Sequence, residues 1–252
     1  MNVTSPSRAD LAGTAPTPSR RVVDAPTRAF HWLLALSFVG AFITADGERW
    51  RLVHVTLGYT VIGLVAFRLL WALVGPQSTR FSAWASKLRA APAFVRSLAD
   101  GRPNGVAATR LLNTLAIVSL LALAVLVTAS GYALYNELAG EWLEDVHEVL
   151  GNAMLAVVLG HIALVVAVSL LRRQNQAMAM VTGRAPGRGP DLVKRNLAPL
   201  AAGMFVAVLA FWVWQWQTAP GPDGLAGPGW TEPGHPAGDR DRKRRHDDAN
   251  DD

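Results

Sequence analysis

Apolar residues gather in five long blocks along this chain, at about 29–45, 52–74, 111–135, 141–172 and 197–216. Each is near or above the ~20 residues a helix needs to cross a hydrocarbon core ~30 Å thick. The pattern therefore predicts an all-α membrane protein with five transmembrane helices. A sixth segment has another rhythm. Phe81, Trp84, Leu88, Ala91, Val95 and Leu98 recur at helical spacing, with Arg80, Lys87, Arg89 and Arg96 between them. That predicts a basic amphipathic helix over about 79–98, lying on a membrane surface and kinked at Pro92. Residues 1–27 are rich in Pro, Ser, Thr, Ala and Arg and lack the apolar core of a signal peptide. Residues 217–252 are rich in Pro and Gly and close on DRDRKRRHDDANDD. Both ends read as disordered tails, and 183–216 reads as a linker leading into the fifth helix.

Charge orients the five spans. A net charge of +5 would admit a nucleic-acid partner, but the basic residues concentrate in alternate loops. Arg8, Arg20, Arg21 and Arg28 precede the first span. Arg80, Lys87, Arg89, Arg96, Arg102 and Arg110 fill loop 75–110, and loop 172–196 is also basic. Loop 136–146 carries Glu137, Glu141, Glu144 and Asp145 and no base. Positive loops stay on the cytoplasmic side. The N-terminus is thus expected in the cytoplasm and the C-terminal tail on the opposite face. The partner is membrane lipid, not nucleic acid. Trp32 and Trp71 near one edge, and Trp50, Trp142 and Trp214 near the other, match an interfacial aromatic belt.

The chain has no cysteine, which removes thiolate ligands, iron–sulfur clusters and covalent haem attachment. Metal chemistry then falls to histidine and carboxylate. His235 and His246 lie in the polar tail and read as solvated; His31, His54, His147 and His161 stand in the apolar blocks or at their edges. His147 and His161 are 14 residues apart on one helix. They leave nearly the same face, ~21 Å apart along the axis. His31 lies 15 residues before Asp46, so it sits ~22 Å from the outer edge, level with His161. His54, three residues past Arg51, is level with His147. Four histidines from three helices sort into two pairs at two depths.

Paired axial imidazoles from facing helices suit haem iron held inside a bundle. A flat macrocycle also wants small neighbours. Gly58 follows His54 by four residues, Gly151 follows His147 by four, and Ala35 follows His31 by four. Arg68, 14 residues past His54, is placed to pair with a haem propionate or to snorkel to headgroups. A zinc or iron catalytic centre would want three or four ligands at one depth, and each level here offers two histidines. No catalytic residue is indicated.

Three stretches carry a family resemblance: DAPTRAFHWLLA at 24–35, HVTLGYTVIGLVAFRLLWALVGP at 54–76 and VHEVLGNAMLAVVLGHIA at 146–163. Over roughly residues 22–182 the chain resembles the bacterial cytochrome b561 type of di-haem membrane cytochrome, itself similar to the cytochrome b subunits of nickel–iron hydrogenases. The resemblance implies a four-helix haem-binding bundle over 28–182 with the fifth helix appended. It implies two non-covalent b haems, one on His31 and His161 on the cytoplasmic side and one on His54 and His147 on the outer side. It implies electron transfer in the bacterial inner membrane between quinone and a redox partner, such as a cytochrome c or a dehydrogenase subunit, with the C-terminal tail periplasmic. Other readings stay open: a quinone oxidoreductase acting alone, a membrane anchor for a hydrogenase or dehydrogenase, and a haem-free metal transporter.

Overall fold

The computed structural model describes residues 18–89, 91–101 and 105–219. Five of its helices are long and apolar enough to cross a membrane: α1 (Ala25–Ile43), α2 (Arg51–Val74), α5 (Gly105–Tyr135), α6 (Trp142–Arg172) and α8 (Ala198–Thr218). Inside a bilayer every backbone amide must bond within its own segment, which leaves such apolar runs only the helix. Backbone contacts join α1 to α2, α5 to α6, and α2 to α5.

The ends of these helices follow local chemistry. α1 starts at Ala25, ahead of its apolar block, because the buried Asp24 carboxylate accepts the Thr27 amide at 2.8 Å. Pro26, in the first turn, has no N–H to leave unpaired. α6 carries Glu144 and Asp145 in its first turn and Arg172 in its last, each sign matching the helix dipole at its end. The amphipathic segment is two helices, α3 (Phe81–Leu88) and α4 (Ala91–Ala99). The break falls ahead of Pro92, whose ring is tolerated in the first turn of the second helix and not in the body of one long helix. Both helices contact α5.

The expected tail over 1–27 needs a shorter boundary. Residues 1–17 lie outside the described residues, but β1 (Ser19–Arg21) pairs antiparallel with β2 (Arg184–Pro186), Arg20 opposite Ala185. The backbone there finds a partner in the linker after α7 (Met178–Thr182). Val22 and Val23 both donate to the Gly183 carbonyl, and Ala25 donates to the Asn196 carbonyl. Gly183 sits at φ +76, and a Cβ there would come within 2.8 Å of the Val23 oxygen. Arg28 and Trp32 then tie α1 to α7 through the Val181 and Met180 carbonyls, at 2.7 and 3.0 Å. The 183–197 linker is thus built into the same end of the bundle, with Val193 fully buried. Of the expected C-terminal tail, residues 220–252 lie outside the described residues.

The core draws on five helices. Phe38 of α1, Val61 and Val65 of α2, Ala124 of α5 and Met154 of α6 form one buried cluster. A second groups Phe30, Leu33 and Leu64 with Met204 and Val208 of α8 packed against it. The chain divides into two units after Leu209. In the second, the last turns of α8 carry Phe211 and Trp214 in ring contact.

Candidate functional site

α2 and α6 bring His54 and His147 together, ring centroids 6.2 Å apart and planes nearly perpendicular at 82°. One nitrogen of each ring has a protein partner. His54 Nδ1 lies 2.8 Å from the Ala41 carbonyl, which only accepts, so that nitrogen carries the proton. His147 Nδ1 lies 2.9 Å from Ser130 Oγ, and the serine hydroxyl donates to the Val127 carbonyl at 3.0 Å. The His147 ring is also hydrogen-bonded to the Val127 carbonyl, which only accepts; with the serine proton directed to that same carbonyl, the arrangement assigns the proton to His147 Nδ1. Both rings are left with an Nε2 lone pair for a ligand, the tautomer a metal-bound histidine takes when its other nitrogen donates to a neighbour.

A largely apolar cavity opens around this pair. It is lined by both histidines, Ala41, Gly58, Tyr59, Thr128, Gly131, Tyr132 and Tyr135, and closed below by Phe38, Val61, Ala124 and Met154. Gly131 touches the ligand ring: a Cβ there would meet His147 Cε1 at 2.8 Å. At Gly58 a Cβ would meet no atom within 4 Å, so the backbone there borders open space in the cavity. Gly151, half-buried on α6, likewise has nothing within 4 Å of a built Cβ. Tyr59 contacts Tyr132 and Tyr135 edge to face, so all three tyrosines of the chain meet at this cavity.

The closing layer is half-way along the histidine spacing. Phe38 is seven residues past His31, Val61 seven past His54, and Met154 seven from both His147 and His161. Seven residues are ~10.5 Å of helix. The packed cluster therefore separates the two levels.

At the other level, His31 of α1 is within electrostatic reach of His161 of α6. His31 also sets its ring edge-on to Trp32. Nδ1 of His31 and of His161 are buried and have no hydrogen-bond partner, a rare condition for buried polar atoms. Arg68 does not snorkel. It is buried, both η-nitrogens reach the Thr79 carbonyl at 3.2–3.3 Å, and its guanidinium lies 4.6 Å over the Trp84 ring. The buried Asp24 carboxylate is within electrostatic reach and also accepts from Trp71 Nε1 at 3.2 Å. Among the described residues, no group of three or more His, Asp or Glu converges as a metal site.

The family model for prokaryotic cytochrome b561 matches residues 22–183, well over half of the chain. The chain belongs to the prokaryotic cytochrome b561 family. It is thus a multi-pass membrane protein of haem b electron transfer. No curated protein and no solved structure matches it. The match spans α1, α2, α5 and α6 and ends at Gly183, so this cytochrome b561 carries α8 beyond the matched region. α5 has no histidine, and sequence reasoning passed over it. Its Ser130 and Gly131 nevertheless both touch the His147 ring. The available signal was the pair itself: Ser-Gly inside an apolar span is a polar atom beside a missing side chain, which suits close approach.

Proposed function

We propose that this cytochrome b561 is a di-haem conduit that carries electrons across the membrane between quinone and a redox partner. The observation that carries the reading is the His54–His147 pair: two rings from facing helices with centroids 6.2 Å apart beside an apolar cavity, each with its Nδ1 bonded to protein. The two unpartnered Nδ1 atoms at His31 and His161 support a second site one seven-plus-seven spacing along α6.

In this reading His54 and His147 hold one b haem, and His31 and His161 the other. When bound, haem supplies reversible one-electron iron chemistry. The chain supplies the rest. Ala41 and Ser130 bond the Nδ1 atoms of their histidines, which leaves each Nε2 as the nitrogen available to a ligand. Gly58 keeps cavity volume clear for a macrocycle, Gly131 admits the His147 ring, and Gly151, four residues past His147, leaves open space on α6. Arg68 is the buried cation at the His31–His161 level and offers charge compensation for an anionic group there. Phe38, Val61, Ala124 and Met154 fill the gap between levels with apolar side chains, excluding water and the proton leak it would bring. The positive loops put the His31–His161 level on the cytoplasmic side of a bacterial inner membrane and the His54–His147 level on the periplasmic side.

His161→Ala in the purified full chain should remove one haem and spare much of the other; full haem content in that variant would sink the ligand assignment. A short-chain quinol added to the oxidised protein should bring up the reduced α-band within the mixing time of a stopped-flow run. A protein with two haems that no quinol reduces and no quinone oxidises would leave the conduit and remove quinone from it.

A further inference from the structure

The geometry points to Ser130 as a positioning residue that sets the redox potential of the site built on His147, an inference that rests on the haem reading above. Ser130 lies on α5, the one bundle helix with no candidate ligand, and is buried. Its hydroxyl donates to the Val127 carbonyl at 3.0 Å, which turns an oxygen lone pair toward His147 Nδ1 at 2.9 Å. The next residue, Gly131, lets the α5 backbone come so close that a Cβ would stand 2.8 Å from the same ring. Hydroxyl and glycine therefore act on one imidazole from one helix turn, the first by bonding its N–H and the second by admitting its edge.

The chemistry follows from where the proton sits. An acceptor on Nδ1–H draws the imidazole toward imidazolate and makes Nε2 a stronger donor. A stronger donor favours the ferric over the ferrous ion, so the bond lowers the potential. Ser130→Ala removes the hydroxyl acceptor and leaves the Val127 carbonyl as the ring's remaining hydrogen-bond partner. Ser130→Thr keeps an oxygen on the same backbone atom. The serine is distinct in this respect from Ser37, which is equally buried but has no hydrogen-bond partner.

The test is a potentiometric titration of the full-length protein, followed by α-band absorbance and by the low-spin ferric EPR signals, for wild type, Ser130→Ala, Ser130→Thr and Ser37→Ala. Haem is counted per chain in every sample. In Ser130→Ala the ferric-to-ferrous ratio of one component at fixed potential should fall about tenfold, which for a one-electron couple is a rise of about 59 mV. The EPR signal of that same component should move, and it should be the component missing from His147→Ala. Ser130→Thr and Ser37→Ala should titrate as wild type. Loss of that one haem in Ser130→Ala would make Ser130 a structural support of the site and overturn its role in setting the potential. Two haems with unshifted potentials in Ser130→Ala, or equal shifts in Ser130→Ala and Ser37→Ala, would overturn it while leaving the di-haem reading standing. A wild-type protein without haem at the His147 level would instead defeat the underlying reading.

Discussion

At the scale of single residues, a protein partner on one imidazole nitrogen fixes the tautomer and leaves the other nitrogen free for a ligand. His54 has that partner in the Ala41 carbonyl and His147 in Ser130. Glycine controls the space around them. Gly131→Ala places a methyl group 2.8 Å from His147 Cε1, so the ring or α5 must shift. The expected outcome is a fall from two haems to one per chain. Gly63→Ala is the matched control: its Cβ meets nothing within 4 Å, and alanine gains up to about 1 kcal/mol of helix propensity. That variant should keep both haems and melt no earlier than wild type. The four histidines and their pairing by depth were legible because helix rise converts residue number into height. Ser130 and Gly131 were not, because height says nothing about which neighbouring helix approaches a given face. That depends on how α5 rotates about its axis, and its few hydroxyl and amide side chains do not gather on one face that would fix the rotation.

At the scale of elements, the segment between α2 and α5 is held from below by one buried cation. Arg68 joins the Thr79 carbonyl just ahead of α3 to the face of Trp84 within it. Charge-assisted hydrogen bonds of this kind contribute about 1.5–3 kcal/mol, and a cation over a desolvated indole about 2 kcal/mol. Arg68→Leu should release α3 and α4, read as faster proteolytic cleavage within residues 80–101, and lower the melting temperature. The haem count separates two roles: retention of both haems assigns Arg68 to anchoring α3, and loss of one assigns it also to the cofactor. The spacing of Phe81, Trp84 and Leu88 foretold the amphipathic character, and Pro92 foretold the interruption. The pairing of β1 with β2 had no local signal. Three-residue strands joined across more than 160 residues have no periodicity to read, and their register depends on where α1 and α7 come together. Asp24 read as part of a turn; its cap on α1 is a local bond three residues long, while its bond to Trp71 belongs to tertiary packing.

At the scale of the whole molecule, the five spans and the charge of their loops make a topology that can be tested directly. The chain has no cysteine, so single cysteines report without background. Glu137→Cys, beside the start of α6, should react with a membrane-impermeant maleimide added to spheroplasts. Arg188→Cys should react only after lysis. The reverse pattern would invert the bundle and exchange the faces served by the two histidine levels. Between those levels the Phe38, Val61, Ala124 and Met154 layer is shared by all four bundle helices. That is why removing one ligand is expected to spare the opposite site. The central claim is two haem sites in one four-helix bundle, and haem stoichiometry tests it most directly. In purified full-length protein made with ample haem, pyridine haemochrome should give two b haems per chain. A value of one or none in a folded, monodisperse sample would contradict the two-level account.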